Sequence, residues 1–224
     1  MGTIKNTVNE SAGIILTIVL FFLFSYASAQ QKQDEPRDAK FYIDRGTAYG
    51  EKGQFDQAVA DFTKALEIDP KSADAYYNRA VAYVNKGQFD RAIADFNKAL
   101  QIDSKDAGTY YYRGIAYGDK GQFDQAIDDF TKALELGSKG AGAYYYRGIA
   151  YVNKGQFDWA IDDFTKALEI DSKSADAYFS RATAYYFKKE YDKSWKDIKK
   201  AQDLGYKIPS KFLENLRKVS GRQN

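Results

Sequence analysis

The apolar positions of this chain follow helical periodicity in short segments. Between residues 73 and 106, two groups of small and aromatic side chains recur at spacings of three, four and seven: Tyr76, Ala80 and Tyr83, then Ala92, Phe96, Ala99 and Leu100. These spacings place side chains on one face of an α-helix, so the segment predicts two successive helices. Gly87 lies between the groups and is expected to end the first helix, because glycine tolerates the left-handed conformation found there.

Residues that commonly cap helices flank both predicted helices. Ser72 and Asp74 lie at the start of the first helix, and Asp90 lies at the start of the second. Their side-chain oxygens can accept hydrogen bonds from the free N–H groups of a first helical turn, so each is expected to act as a cap.

The whole helix-turn-helix pattern recurs every 34 residues. The string GQFD and its degenerate fifth copy, KEYD, begin at Gly53, Gly87, Gly121, Gly155 and Lys189. A period of this length is typical of a solenoid, in which similar units stack and bury one another's apolar faces. The sequence therefore predicts five units, at residues 39–72, 73–106, 107–140, 141–174 and 175–208.

The recurring residues resemble the signature of the tetratricopeptide repeat (TPR) family from residue 39 to about 206. In the first unit the signature positions are Tyr42, Gly46, Tyr49, Gly53, Ala58, Phe62, Ala65 and Pro70. The fifth unit departs from it at Lys189, Ser194 and Ile198. The resemblance implies an all-α fold, a right-handed superhelical solenoid in which the first helix of each repeat lines the concave face.

A short segment follows the fifth repeat. Pro209 and Ser210 can open one more helix, which carries Phe212, Leu213 and Leu216 on one face. Repeat arrays need such a segment to cover the last apolar face, so residues 209–224 are predicted to form a capping helix and tail.

The N-terminal residues have the composition of a secretory signal. A polar start is followed by an apolar run at residues 14–24 and by Ala27-Ser28-Ala29, so residues 1–29 are predicted to be a signal peptide. The protein is then expected to be periplasmic or secreted, with residues 30–38 as a polar leader. The alternative is a membrane anchor that retains residues 11–29, because this stretch carries no charge.

The composition removes many catalytic mechanisms. The chain has no cysteine and no histidine, which excludes thiolate nucleophiles, imidazole bases and Cys/His metal sites. The glycines at residues 137–140 lack the spacing of a phosphate-binding loop. We therefore expect no enzyme activity, no cofactor and no metal.

The family resemblance assigns a set of apolar side chains to the concave groove. They are aromatic near the middle of the first helix, with an aliphatic residue one turn later: Tyr77, Val81, Val84, Tyr111, Ile115, Tyr145, Ile149, Val152 and Phe179. Packing between repeats is one reading of this set. We favour binding, because each repeat already supplies another tyrosine and a phenylalanine to its core, and apolar groups left on a concave surface commonly bind a ligand.

The groove residues also indicate the kind of partner. In some family members, lysine, asparagine and arginine grip a C-terminal carboxylate; the matching positions here are Ile43, Thr47, Asn78, Gly108 and Tyr112, of which only Asn78 fits. An amphipathic helix or an apolar extended segment suits this groove better. We expect a protein-interaction scaffold that binds a protein or peptide. The alternatives are a membrane-anchored assembly factor, a glycan- or polymer-binding module, and self-association.

Charge is distributed unevenly along the chain. Residues 30–174 carry 20 basic and 24 acidic side chains, whereas residues 175–224 carry 12 and 6. The basic C-terminal end is either an ordinary solvated surface or a site for an anionic partner such as a membrane surface. Nucleic acid is not expected, because the predicted groove is not basic.

An arginine and an aspartate also recur in every repeat. The predicted partners are Arg45 with Asp61, Arg79 with Asp95, Arg113 with Asp129, Arg147 with Asp163, and Arg181 with Asp197. We expect each pair to be partly buried and structural. We also expect flexibility at residues 137–142, where glycines replace the usual helix stop and helix cap.

Overall fold

The computed structural model describes residues 38–222. The predicted signal peptide at residues 1–29 and nearly all of the polar leader lie outside the described residues, as do the last two residues of the tail. The helices belong to one compact unit that begins at Ala39. None of the helices within residues 38–222 has both the length and the apolar character needed to span a membrane.

Eleven α-helices, and no β-strands, account for the regular structure of residues 38–222. The first helices of the five repeats are α1 (Ala39–Glu51), α3 (Ala73–Asn85), α5 (Ala107–Asp119), α7 (Ala141–Asn153) and α9 (Ala175–Phe187). The second helices are α2 (Phe55–Ile68), α4 (Phe89–Ile102), α6 (Phe123–Glu135), α8 (Phe157–Ile170) and α10 (Tyr191–Asp203). The last helix is α11 (Ser210–Ser220).

The helices stack in chain order. Each first helix packs on the second helix of its repeat, and each second helix packs on the first helix of the next repeat. Successive first helices also touch one another, so they form a continuous inner layer. The all-α repeat fold expected from the 34-residue period is therefore confirmed.

Small residues let the two helices of a repeat approach closely. A β-carbon built on Gly46, Gly114 or Gly148 would lie 2.8–2.9 Å from the ring of the phenylalanine opposite, which is Phe62, Phe130 or Phe164 respectively. These rings are almost completely buried. In these three repeats the ring lies too close for a β-carbon without a shift, whereas the second repeat has Ala80 at this position, packed on Phe96.

Ser72 and Ser174 cap helices, whereas Asp74 and Asp90, which were also expected to act as caps, do not. The hydroxyl of Ser72 accepts a hydrogen bond from the Ala75 N–H at 3.2 Å, and Ser174 caps α9 in the same way. The interpretation of Asp90 as a cap is wrong: Gln88 occupies the N-cap position of α4, and the Asp90 side chain pairs instead with Lys120. A residue two positions past the cap faces outward and reaches the next repeat.

A left-handed residue separates the two helices of every repeat. Gly53, Gly87, Gly121 and Gly155 have φ angles of 67–73°. The fifth repeat has Lys189 there, with a φ of 63°. This conformation costs a residue with a β-carbon about 1–2 kcal/mol, so the fifth turn is strained relative to the others.

The capping helix α11 occupies the place of a sixth first helix. Arg222 pairs with Asp192 at the same sequence separation, 30 residues, at which Lys188 pairs with Asp158. Leu216 is completely buried against Ala182 and Ile198, and the indole N–H of Trp195 donates to the Ser220 hydroxyl at 3.0 Å. The predicted terminal helix therefore shields the apolar face of the fifth repeat.

Candidate functional site

We call the layer formed by α1, α3, α5, α7 and α9 the inner groove. The predicted groove residues of the second to fourth repeats are all half-buried and lie on these first helices. Each group packs on the core of its own repeat: Tyr77, Val81 and Val84 contact the cluster around Phe96. Tyr111 and Ile115 contact the cluster around Phe130, and Tyr145, Ile149 and Val152 contact the cluster around Phe164.

The groove tyrosines are shared between the groove and the core. The ring centres of Tyr77 and Phe96 lie 6.1 Å apart, and those of Tyr111 and Phe130 lie 5.9 Å apart. Burial raises the pKa of Tyr111 to about 12, with Tyr146 adding to the effect, and it also raises the pKa of Tyr77. These rings therefore contribute to the cores of their repeats as well as to the groove.

Phe179 differs from the other aromatic groove residues. Its ring stacks on Tyr206 with centres 4.8 Å apart and meets Phe212 edge-on at 5.4 Å. Both partners belong to the connection and helix that close the array. Phe179 thus packs against the cap, which the other aromatic groove residues do not contact in this way.

An open pocket lies on the inner groove between the third and fourth repeats. Its volume is about 440 Å³. Its walls come from α5, α6 and α7: Gly114, Ile115, Gly118, Asp119, Phe123, Phe130, Tyr145, Tyr146, Ile149, Ala150 and Asn153. A mostly apolar concavity with a few polar groups at its edge is the usual form of a ligand site.

Two glycines make room for pockets of this kind. Gly118 borders the pocket between the third and fourth repeats, and Gly50 borders a smaller pocket of about 180 Å³ between the first and second. A β-carbon built on Gly118 would meet only the Ala126 β-carbon at 4.0 Å, and one built on Gly50 would meet nothing within that distance. The same position carries Val84 and Val152 in the second and fourth repeats, where the side chains pack on the core.

Two tyrosines beside the groove were not in the predicted set. Tyr146 lines the larger pocket and is 40% exposed, and its ring stacks at 6.1 Å on Phe130. Tyr112 contacts both Tyr77 and Tyr111 edge-on. Both follow a predicted groove tyrosine directly in the sequence, so the paired tyrosines were a signal that could have identified them.

The predicted arginine and aspartate come together in all five repeats. Each arginine donates two hydrogen bonds, from Nε and Nη2, to the two oxygens of its aspartate, at distances of 2.5–3.0 Å. The five aspartates are all buried, although Arg45 at the end of the array is more exposed than the other arginines. Such a two-point contact fixes the geometry as well as the charge.

The same arginines join successive repeats. A third donor, Nη1, reaches back to the preceding repeat: Arg79 to Thr63, Arg113 to Asn97, Arg147 to Thr131 and Arg181 to Thr165, at 2.6–3.0 Å. We call each arginine with its aspartate and this acceptor a buried joint. Within residues 38–222 no buried side-chain nitrogen or oxygen lacks a hydrogen-bond partner.

The electrostatics of the joint show why both partners are needed. Hydrogen bonding to Asp95 raises the pKa of Arg79, so this guanidinium stays charged. Burial raises the pKa of Asp129, and the hydrogen bond and charge of Arg113 oppose that rise. The carboxylate is therefore costly to bury and depends on its arginine. The neighbouring Asp128 is exposed, so the two aspartates do not form a catalytic pair.

Comparisons with known proteins agree with this architecture. Tetratricopeptide repeat family models match residues 43–107, 107–138 and 141–174. No curated protein sequence matches the chain.

Solved structures that are similar to this chain include those of three proteins. A crystal structure of MamA is 31% identical with a TM-score of 0.67, and the alignment covers 71% of this chain and 93% of that one. YrrB, described as a TPR protein with an unusual peptide-binding site, is 28% identical with a TM-score of 0.66 and coverage of 81% and 92%. PilF of Pseudomonas aeruginosa is 24% identical with a TM-score of 0.71 and shares the fold; the alignment covers 82% of this chain and 84% of that one.

Proposed function

Because the chain belongs to the tetratricopeptide repeat family, we propose that it is a non-catalytic protein-interaction scaffold that binds a peptide segment in its inner groove. The observation that carries this proposal is the open, largely apolar pocket between the third and fourth repeats. Rigid aromatic side chains border it, and such side chains dominate binding hot spots. The peptide-binding site described for YrrB, a protein of the same fold and 28% identity, supports the same kind of ligand.

The position of the pocket favours the middle of the array as the binding region. In the first repeat, Ile43 stands where the following repeats have an aromatic residue. In the fifth repeat, Phe179 is covered by Tyr206 and Phe212. We therefore propose that a ligand contacts the second to fourth repeats most heavily, through residues that include Tyr111, Ile115 and Tyr145.

The test is a peptide array probed with the purified protein and, in parallel, with its Gly118→Val variant. Valine at this position fills the pocket while keeping the helix, as Val84 and Val152 show in the neighbouring repeats. Peptides that bind the inner groove are expected to lose at least about tenfold in affinity, the size of a typical hot-spot effect. A glycan array provides the competing outcome. If glycans bind and peptides do not, the proposal is wrong.

We further propose that the protein is exported, with residues 1–29 removed as a signal peptide. The order of a polar start, an apolar run and Ala27-Ser28-Ala29 supports this. Mass spectrometry of the N-terminus of the protein from its native envelope is expected to show a chain that begins at Gln30. A chain that retains residues 11–29 would instead support the membrane-anchored alternative.

The basic end of the array favours a second contact, with an anionic membrane surface. The side chains of Lys196, Lys199 and Lys200 on α10 and of Lys211 and Lys218 on α11 are exposed. Clusters of this kind contribute up to about 1 kcal/mol per lysine at an anionic bilayer. Cosedimentation with vesicles that contain phosphatidylserine, but not with neutral vesicles, is expected. Equal recovery with both vesicle types would contradict this contact.

A further inference from the structure

Acidic side chains border three pockets on the inner groove. Asp119 borders the larger pocket, and Glu51 borders the pocket beside Gly50. A third pocket, of about 330 Å³, lies between the second and third repeats and is bordered by Asp74, Asp103 and Asp106. Carboxylates therefore stand beside all three of these openings.

Basic side chains do not balance these carboxylates within the groove. Among the described residues, none that lines the three pockets is a lysine or an arginine. Lys40, on the first helix, is paired with Asp44 at 3.0 Å. Lys120, the sequence neighbour of Asp119, is paired with Asp90 of the preceding repeat. A cleft with one sign of charge and apolar walls concentrates ligands of the opposite sign.

We propose that the inner groove is selective for a cationic segment, one that carries bulky apolar side chains flanked by lysine or arginine. This inference rests on the proposed function and names the chemistry of its ligand. The apolar side chains would enter the openings beside Gly118 and Gly50, two repeats apart. The flanking basic groups would meet Asp119 and Glu51, while their aliphatic stems lie along the apolar walls.

The charge pattern also defines what the groove rejects. A peptide that ends in a free carboxylate, or one rich in aspartate and glutamate, would bring its charges against Asp119 and Asp74 with no basic group to receive them. Repulsion of this kind discriminates between partners as effectively as attraction does. The groove thus selects against acidic tails.

The experiment compares two synthetic peptides with identical apolar positions, one with lysine and arginine and the other with glutamate at the polar positions. Fluorescence anisotropy measures the affinity of each for the wild-type protein and for Asp119→Lys. The matched control is Asp128→Lys, which makes the same change of charge in the same repeat on the exposed side of α6. The fifth repeat tolerates this change, since it has Lys196 at the corresponding position.

The cationic peptide is expected to bind at least about tenfold more tightly than the glutamate peptide. Its affinity is expected to fall as salt is added, because salt screens charge interactions. Asp119→Lys is expected to weaken it by about threefold or more, while Asp128→Lys changes the affinity by less than about twofold, as for an ordinary surface charge. Equal affinity of the two peptides, or equal effects of the two substitutions, would overturn the inference.

Two further readouts separate this inference from the proposed function. If the glutamate peptide binds as tightly as the cationic peptide and Gly118→Val abolishes that binding, the groove binds peptides but the charge preference is wrong. If Gly118→Val changes neither peptide's affinity, or neither peptide binds, both proposals fail. Sedimentation of the protein alone tests a second copy as the occupant. Self-association that Asp119→Lys abolishes would overturn the inference in favour of that occupant.

Discussion

The recurring arginines and the residues of the inner groove lie on the same five first helices but vary in different ways. Every repeat has the same arginine and aspartate in the same bidentate contact, whereas the groove changes from repeat to repeat. At one groove position the chain has Gly50, Val84, Gly118, Val152 and Tyr186 in succession. Side chains that hold a repeat together must be the same in each copy, while a surface that recognises a partner must differ along its length.

The end of the array supports this distinction. Where α11 takes the place of another first helix, the recurring arginine becomes Asn215, and the acceptor in the preceding repeat becomes Lys199. Both partners of a joint therefore change together after the fifth repeat. A sixth arginine would meet the charge of Lys199, so the end of the array is unsuited to continued stacking.

The largest effect is expected from breaking a joint. Asp129→Ala leaves the Arg113 guanidinium partly buried without its carboxylate, which is expected to lower the free energy of unfolding by about 3 kcal/mol. Asp128→Ala, one residue away and exposed, is expected to change it by less than about 0.5 kcal/mol. Urea denaturation followed by circular dichroism measures both. Similar losses for the two variants would show that the joint is not structural.

Ionisation of the groove tyrosines tests how far they belong to the core. Burial raises the pKa of Tyr111 from the ordinary value of 10.0 to about 12. Because the raised pKa opposes ionisation only in the folded state, its contribution to stability is present below pH 10 and is lost as the pH rises towards 12.

Ultraviolet titration of the folded protein is expected to show a late-ionising class of tyrosines, reduced by one in Tyr111→Phe. A single transition near pH 10, the pKa of an unburied tyrosine, would show that these rings belong to the groove and not to the core.

The link between repeats is expected to contribute less than the pair within a repeat. Thr131→Val removes the oxygen that accepts from Arg147, and the loss of such a hydrogen bond is expected to lower the free energy of unfolding by roughly 1–2 kcal/mol. Lys199→Thr is the matched control, because no arginine follows it and it should have almost no effect. The prediction fails if both variants unfold at the same urea concentration as the wild type.

The smallest effect is expected at the junction of the third and fourth repeats. Gly140 provides no side-chain cap for α7, whereas Asp106 caps α5 with two hydrogen bonds. Gly140→Ser is expected to stabilise the protein by about 0.3 kcal/mol. Amide exchange is expected to be faster at residues 137–142 than at 103–108, and equal rates would contradict this.

The fold could be predicted from the sequence because the same pattern of small, aromatic and capping residues recurs in each repeat. The arginine and aspartate partners could be chosen because both recur at the same interval. The pockets beside Gly50 and Gly118 could not be predicted, because they arise where these residues provide no side chain. A sequence pattern shows the side chains that are present and not the space that a missing one leaves. Asp90 was misread because a cap and a residue two positions later differ only in backbone geometry.

The most direct test of the account measures affinity and stability together in Gly118→Val and Asp129→Ala, with the cationic peptide as the probe. Gly118→Val is expected to lower affinity by at least about tenfold, while its stability stays equal or rises by up to about 0.4 kcal/mol. Asp129→Ala is expected to lower stability by about 3 kcal/mol while folded molecules keep their affinity. If Gly118→Val leaves the affinity unchanged, the inner groove is a packing surface and the account is wrong. The same conclusion follows if each variant loses affinity only in proportion to its own loss of stability.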